Sequence, residues 1–182
     1  DANGSALGSE FQVQTTARPG DLASPSVTGL ADGGWVVTFG QWGDPNVHGQ
    51  RYEASGVPSG AEFRISTSIS SGGQLDAQVT ALVGGGWIVS WESVRPSDRG
   101  IDIVSQRFDA SGVATGSQFS VGASNLNHRA PAIAALADGG CVVAWTQDGD
   151  IFAQRFDAAG VAMGVEMRIN SYEEWQEDPS IA

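Results

Sequence analysis

The chain has 182 residues, with 21 Asp plus Glu against 9 basic residues, all of them Arg, for a formal net charge of -12. That balance excludes the basic face needed to bind a nucleic-acid backbone and disfavours an anionic membrane surface. A hydrophobic content of 41% with 16% charged residues is too apolar for a disordered chain, so a core is expected.

No segment reaches the roughly 18 apolar residues of a membrane span, and the start Asp1-Ala2-Asn3-Gly4 lacks the charged and apolar regions of a signal peptide. The chain therefore reads as soluble, and as mature or excised. The single cysteine, Cys141, excludes an internal disulfide and a CxxC metal clip.

In chain order, the same markers return. Gly34-Trp35-Val36-Val37 recurs as Gly86-Trp87-Ile88-Val89 and Gly140-Cys141-Val142-Val143, at spacings of 52 and 54 residues. Gln50-Arg51-Tyr52 recurs as Gln106-Arg107-Phe108 and Gln154-Arg155-Phe156, each followed by an acidic, Gly-ended turn. Phe11, Phe63, Phe119 and Met167 each head a short segment that continues with Val13, Ile65, Val121 and Ile169.

Each period divides into four alternating segments, the signature of half-buried strands. The first carries small side chains: Ser26–Leu30, Gln78–Leu82, Ala132–Leu136 and the closing Ser180–Ala182. A tight turn follows (Asp32-Gly33-Gly34, Gly84-Gly85-Gly86 or Asp138-Gly139-Gly140). The second strand then puts Trp35, Val37 and Phe39, or Trp87, Val89 and Trp91, or Cys141, Val143 and Trp145 on one face as core. No segment shows a sustained helical stripe.

The expected fold is therefore all-β, with tandem four-stranded blades of about 50 residues in a β-propeller-like arrangement. The competing architecture is a β-trefoil, whose units are usually shorter. The expected divisions are 1–24, the last strand of a preceding blade and a loop; 25–76, 77–130 and 131–178, three blade repeats; and 179–182, the first strand of a next blade. Fourteen strands are expected on this division. Three blades fall short of the four or more that close a ring, so an incomplete ring is expected, either as a segment of a longer propeller or as copies joined through open edges.

The motifs Leu-Ala-Asp-Gly-Gly-(Trp/Cys)-Val-Val, Gln-Arg-Phe-Asp-Ala-Ser-Gly and Gly-Ser-Glu-Phe-Gln-Val together resemble the tandem repeats of large secreted bacterial proteins of the hemolysin-type calcium-binding (RTX) group. The resemblance spans nearly the whole chain and implies an extracellular or cell-surface, adhesin-like or exoenzyme-associated module. The chain has no Gly-Gly-x-Gly-x-Asp run, so no calcium ligand is carried over from the family.

Among chemically suggestive residues, Asp148 and Asp150 flank Gly149 in a tight turn and form the candidate metal site, with calcium as the ion. The same residues also make an ordinary polar hairpin. Trp42 and Trp175 fall outside the repeat markers, in loops, and are the candidate ligand contacts for sugar stacking. The acids of the Asp-Ala-Ser-Gly turns read as turn formers. Arg51, Arg107 and Arg155 read as ion-pair partners of neighbouring acids, and Cys141 as a buried small hydrophobe.

His48 and His128 lie in different units, and neither belongs to a nucleophile or zinc motif, so no catalytic residue is assigned. The function expected is a non-catalytic extracellular binding or scaffold module for a glycan, a protein partner or calcium. The alternatives are a fragment of a secreted hydrolase whose active site lies outside this chain, and an assembly protein joined to other repeats or copies through its blade edges.

Overall fold

The computed structural model describes residues 8–16, 22–41, 44–67, 73–95, 97–98, 100–122, 126–171 and 175–182. Among them are twelve strands and no helix, and none of the described segments is a helix long and apolar enough to cross a membrane. The strands form three antiparallel four-stranded sheets, each a simple meander.

Sheet 1 contains β1 (Leu22–Gly29), β2 (Trp35–Gln41), β3 (Asp44–Tyr52) and β4 (Phe63–Arg64). Sheet 2 contains β5 (Gln74–Ala81), β6 (Trp87–Val94), β7 (Ile101–Phe108) and β8 (Ala114–Val121). Sheet 3 contains β9 (Arg129–Ala135), β10 (Cys141–Gln147), β11 (Asp150–Phe156) and β12 (Ala162–Arg168).

The turn between the first two strands of each sheet explains its glycines. A Cβ at Gly34, Gly86 or Gly140 would collide with the carbonyl oxygen of Tyr52, Phe108 or Phe156 on the third strand, so the last turn residue has to be Gly. The third strand carries a device of its own. Gln50 donates to the carbonyls of Arg51 (2.9 Å) and Gly60 (3.1 Å), Gln106 to Arg107 (2.9 Å) and Thr115 (3.1 Å), and Gln154 to Arg155 (3.0 Å) and Met163 (3.2 Å). In sheets 2 and 3 these buried amides bridge the irregularity where the third strand meets the fourth.

Successive sheets stack face to face. Between sheets 1 and 2, Val36, Val47 and Ile65 pack against Val79, Trp87, Val89, Trp91 and Phe108. Between sheets 2 and 3, the repeat-equivalent Ile88, Ile103 and Val121 pack against Ile133, Cys141, Val143, Trp145 and Phe156. Both faces of β6 are thus apolar because a neighbouring sheet covers each. Trp87, Trp91, Cys141 and Trp145 are fully buried, as their placement on one face of the alternation predicts.

The front of sheet 1 is covered by chain from outside the three sheets. Phe11 lies against Trp35 (6.1 Å between ring centres) and Tyr52 (5.5 Å), much as Phe63 lies against Phe108 (6.1 Å) and Phe119 against Phe156 (5.0 Å). Two flanking segments expected as strands, around Phe11 and Ser180, lie outside any ladder. Neither has a strand of its own sheet beside it to complete the hydrogen bonding that makes a strand.

Candidate functional site

The first strands of the three sheets lie in sequence, β5 packing against both β1 and β9, and side-chain hydrogen bonds join β1 to β5. Ser26 Oγ accepts from the Val79 amide (3.2 Å), and Thr28 Oγ1 accepts from the Ala81 amide (3.2 Å). Small side chains here, as expected of the first segment, allow the strands to approach this closely.

Each of these strands carries one extra residue relative to its neighbour. The ladder slips between Ala23 and Ser26, between Leu75 and Gln78, and on β9 opposite Ala144 and Thr146. Within each slip one non-glycine residue turns left-handed: Ser24 (φ 48), Asp76 (φ 49) and Ala130 (φ 48). Asp178, at the corresponding place before the closing segment, does the same (φ 54). Such bulges re-aim a side chain out of the alternation, and non-glycine residues in this conformation cost of order 1 to 3 kcal/mol each.

The three bulges and Asp178 line an axial cleft of about 450 Å³, together with Gln78, Ala132, Ile133 and the segment Pro179–Ile181. A second recess of about 230 Å³ shares Asp76, Ala130 and Asp178 with it and adds Glu92, Arg129, Thr146 and Glu177. Ser24 Oγ donates to the Asp76 carboxylate across the cleft. Glu92 is buried (7% exposed) and accepts the Ala130 amide at 2.8 Å. Burial pushes its carboxyl above the usual range, the bond from Ala130 pulls it back, and the Asp76 charge raises it further. Thr146 occupies in β10 the place Glu92 occupies in β6; it is 7% exposed and its hydroxyl has no hydrogen-bond partner.

The residues singled out from sequence fall around this cleft unevenly. Trp42 lies outside the described residues. Trp175 is 72% exposed, its ring lies over Gly149, and its indole N–H donates to Glu177. The Gln176 amide donates to the Gly149 carbonyl at 2.9 Å. The fold therefore brings Trp175 onto the Asp148–Asp150 turn and places Glu177 and Asp178, two and three residues further on, at the cleft.

Asp148 has φ 52 in that turn, and Asp150 Oδ1 accepts from Arg168 (2.6 Å) and Asn170 (2.9 Å). A cation seated there would compete with Arg168. Among the described residues no group of three or more His, Cys, Asp or Glu side chains is arranged to hold a metal.

The repeated arginines and turn acids have structural partners. Arg51 pairs with Asp32 and Arg155 with Asp138. Unit 2 has Gly84 where the other units have these acids, and there Arg107 donates to the Gly139 carbonyl of the next sheet at 3.0 Å. Asp109 Oδ1 accepts from the amides of Ser111 and Val113, and Asp157 Oδ1 from those of Ala159 and Val161, all at 2.9 Å.

Cys141 is fully buried, and burial pushes its thiol up to about 11. His48 lies within 3.0 Å of Asp44 and 3.6 Å of Glu62, while the His128 ring meets Trp145 edge-on at 5.7 Å.

Sequence reasoning did not single out the cleft residues. Their one legible trace is a residue followed by Pro at the head of the first segment, in Ser24-Pro25, Ala130-Pro131 and Asp178-Pro179, since Pro inside a sheet is confined to edges and bulges.

The fold and cleft define an all-β protein of consecutive four-stranded sheets with its concave site at the junction of their first strands. No family model matches the chain, and no curated protein matches it. A solved structure with a similar fold is described as belonging to the GH130 family of mannoside phosphorylases, which contains glycoside hydrolases that target beta-1,2 mannosidic linkages in Candida mannan. The likeness has a TM-score of 0.50 at 14% identity and covers 87% of this chain. The chain spans about half of that protein's length, 51%.

Proposed function

We propose that the chain is a segment of a β-propeller that acts as a non-catalytic carbohydrate-binding module of a secreted or cell-surface protein, with the sugar seated in the axial cleft. The observation that carries this reading is the convergence of the Ser24 and Asp76 bulges, with Gln78 and Asp178, on one concave space. Hydroxyl, amide and carboxylate groups on rigid strands are what oriented binding of a polyhydroxylated ligand requires. The GH130 neighbour, described as belonging to a family of mannoside-active enzymes, supports a sugar as the ligand class.

The same likeness favours a second reading, a piece of a secreted hydrolase completed by residues outside this chain. Isothermal titration of the chain with a panel of neutral and amino tetrasaccharides, followed by product analysis, tests both. Saturable binding without cleavage is expected. The paired substitution Ser24→Ala and Gln78→Ala should weaken binding about tenfold with an unchanged melt. Binding by no oligosaccharide, or binding indifferent to that pair, overturns the carbohydrate reading, and cleavage by the isolated chain overturns its non-catalytic part.

A further inference from the structure

The recess beside the cleft is lined by four acidic side chains, Asp76, Glu92, Glu177 and Asp178, against one guanidinium, Arg129. Thr146 lines the same recess, nine-tenths buried, with a hydroxyl that lacks a partner. From the equivalent place in β6 the Glu92 carboxylate reaches the bulge residue of the next first strand. Thr146 and Asp178 line the same recess. A buried hydroxyl left unpaired calls for an explanation, and a ligand seated in the adjoining recess supplies one.

The acids are spread around the recess and form no group able to hold a metal among the described residues. A ligand that touches them one at a time, with a positive charge at one point and hydroxyls at others, fits them. The net charge of -12 attracts such a ligand and repels acidic glycans.

We infer that the cleft selects a sugar carrying a free primary ammonium group, an amino-sugar unit, whose nitrogen sits between Asp76 and Asp178 and whose neighbouring hydroxyl pairs with Thr146. This rests on the carbohydrate reading above and sharpens it, since charge-assisted hydrogen bonds are roughly twice as strong as neutral ones.

Calorimetric titration at pH 7 and low salt, with a β-1,4-linked glucosamine tetramer, its fully N-acetylated counterpart and spermidine, tests the inference. The glucosamine tetramer should bind at least about tenfold more tightly than either of the others. Asp76→Asn with Asp178→Asn should abolish that preference and leave the weaker binding of the acetylated tetramer in place. Asn tolerates the left-handed backbone at both positions.

Thr146→Val, which keeps the side chain's shape, should weaken both tetramers, and it stands in if the Asn pair fails to fold. Equal affinity for the two tetramers overturns the ammonium inference and leaves the carbohydrate reading standing. Spermidine binding as tightly as the glucosamine tetramer overturns the assignment to a sugar amine. Failure of every oligosaccharide to bind overturns both readings.

Discussion

The backbone amide of Ala130 donates to the carboxylate of Glu92 at 2.8 Å, joining the second strand of one sheet to the bulge on the first strand of the next. Glu92→Ala should cost about 1 to 3 kcal/mol, because it leaves a buried amide without an acceptor. Glu92→Gln keeps an acceptor oxygen and should fold normally. Burial raises the Glu92 carboxyl above its unfolded value, so the folded state holds its proton more tightly and stability declines as pH rises through that window. Chemical denaturation of wild type and Glu92→Gln between pH 4 and pH 8 should show that decline only in the wild type.

Ile65, Val121 and Ile169 hold one place in the repeat with different surroundings: the first two are 1% exposed between sheets, and the third is 58% exposed on the outer face of sheet 3. Ile65→Ala should cost about 2 to 5 kcal/mol and Ile169→Ala under about 0.5 kcal/mol. Urea midpoints of the two variants check this. Equal costs would mean that the sheet 3 face is covered in solution, and a sedimentation experiment would then show self-association.

The carboxylate of Asp109 is held below its usual range by the Ser111 hydroxyl and by the amides of Val113 and Ser111. A depressed carboxyl lends stability above its unfolded value and loses it as pH falls through the lowered folded value. Asp109→Ala should therefore melt below wild type at pH 7, with the gap closing in acid as pH falls through the lowered folded value. Paired thermal melts across that range test the expectation.

Trp175 fastens the closing segment to the turn at Gly149, although the ring itself is mostly exposed. Trp175→Ala should leave the melting temperature nearly unchanged and weaken oligosaccharide binding, because Glu177 and Asp178 lose their anchor at the cleft. A large drop in melting temperature with intact binding would contradict that role.

Cys141 replaces the tryptophan that stands at Trp35 and Trp87, and its thiol is buried and pushed up to about 11. Alkylation by iodoacetamide at pH 7.5 should follow global unfolding and be negligible in the native protein. Cys141→Trp should destabilise by about 1 to 3 kcal/mol through overpacking, despite restoring the residue of the other repeats. Mass spectrometry of the alkylated chain and a urea melt of the variant read the two outcomes.

Much of the fold is written locally. Alternation places Trp87, Val89 and Trp91 on one face, and these tight turns can be closed only with Gly34, Gly86 and Gly140, so strands, turns and core faces are legible in the sequence. The ion pairs of Arg51 and Arg155 were legible too, as charge complementarity within one unit. Arg107 had to find the Gly139 carbonyl in the next sheet because Gly84 offers it no acid. The roles of Gln50, Gln106 and Gln154 were hidden, since a buried amide that bridges backbone reads in sequence like any polar strand residue.

The cleft belongs wholly to tertiary structure. A one-residue slip at Ser24, Asp76 and Ala130 leaves no mark beyond the prolines that follow Ser24 and Ala130, and the partners of Glu92 and Trp175 come from other sheets or turns. The repeated sequence alone determined that this protein is a stack of four-stranded sheets, because side-chain period and turn stereochemistry act within a few residues. Packing those sheets decided which carboxylates share a cleft, because only the approach of β1, β5 and β9 turns three separate bulges and Asp178 into one site.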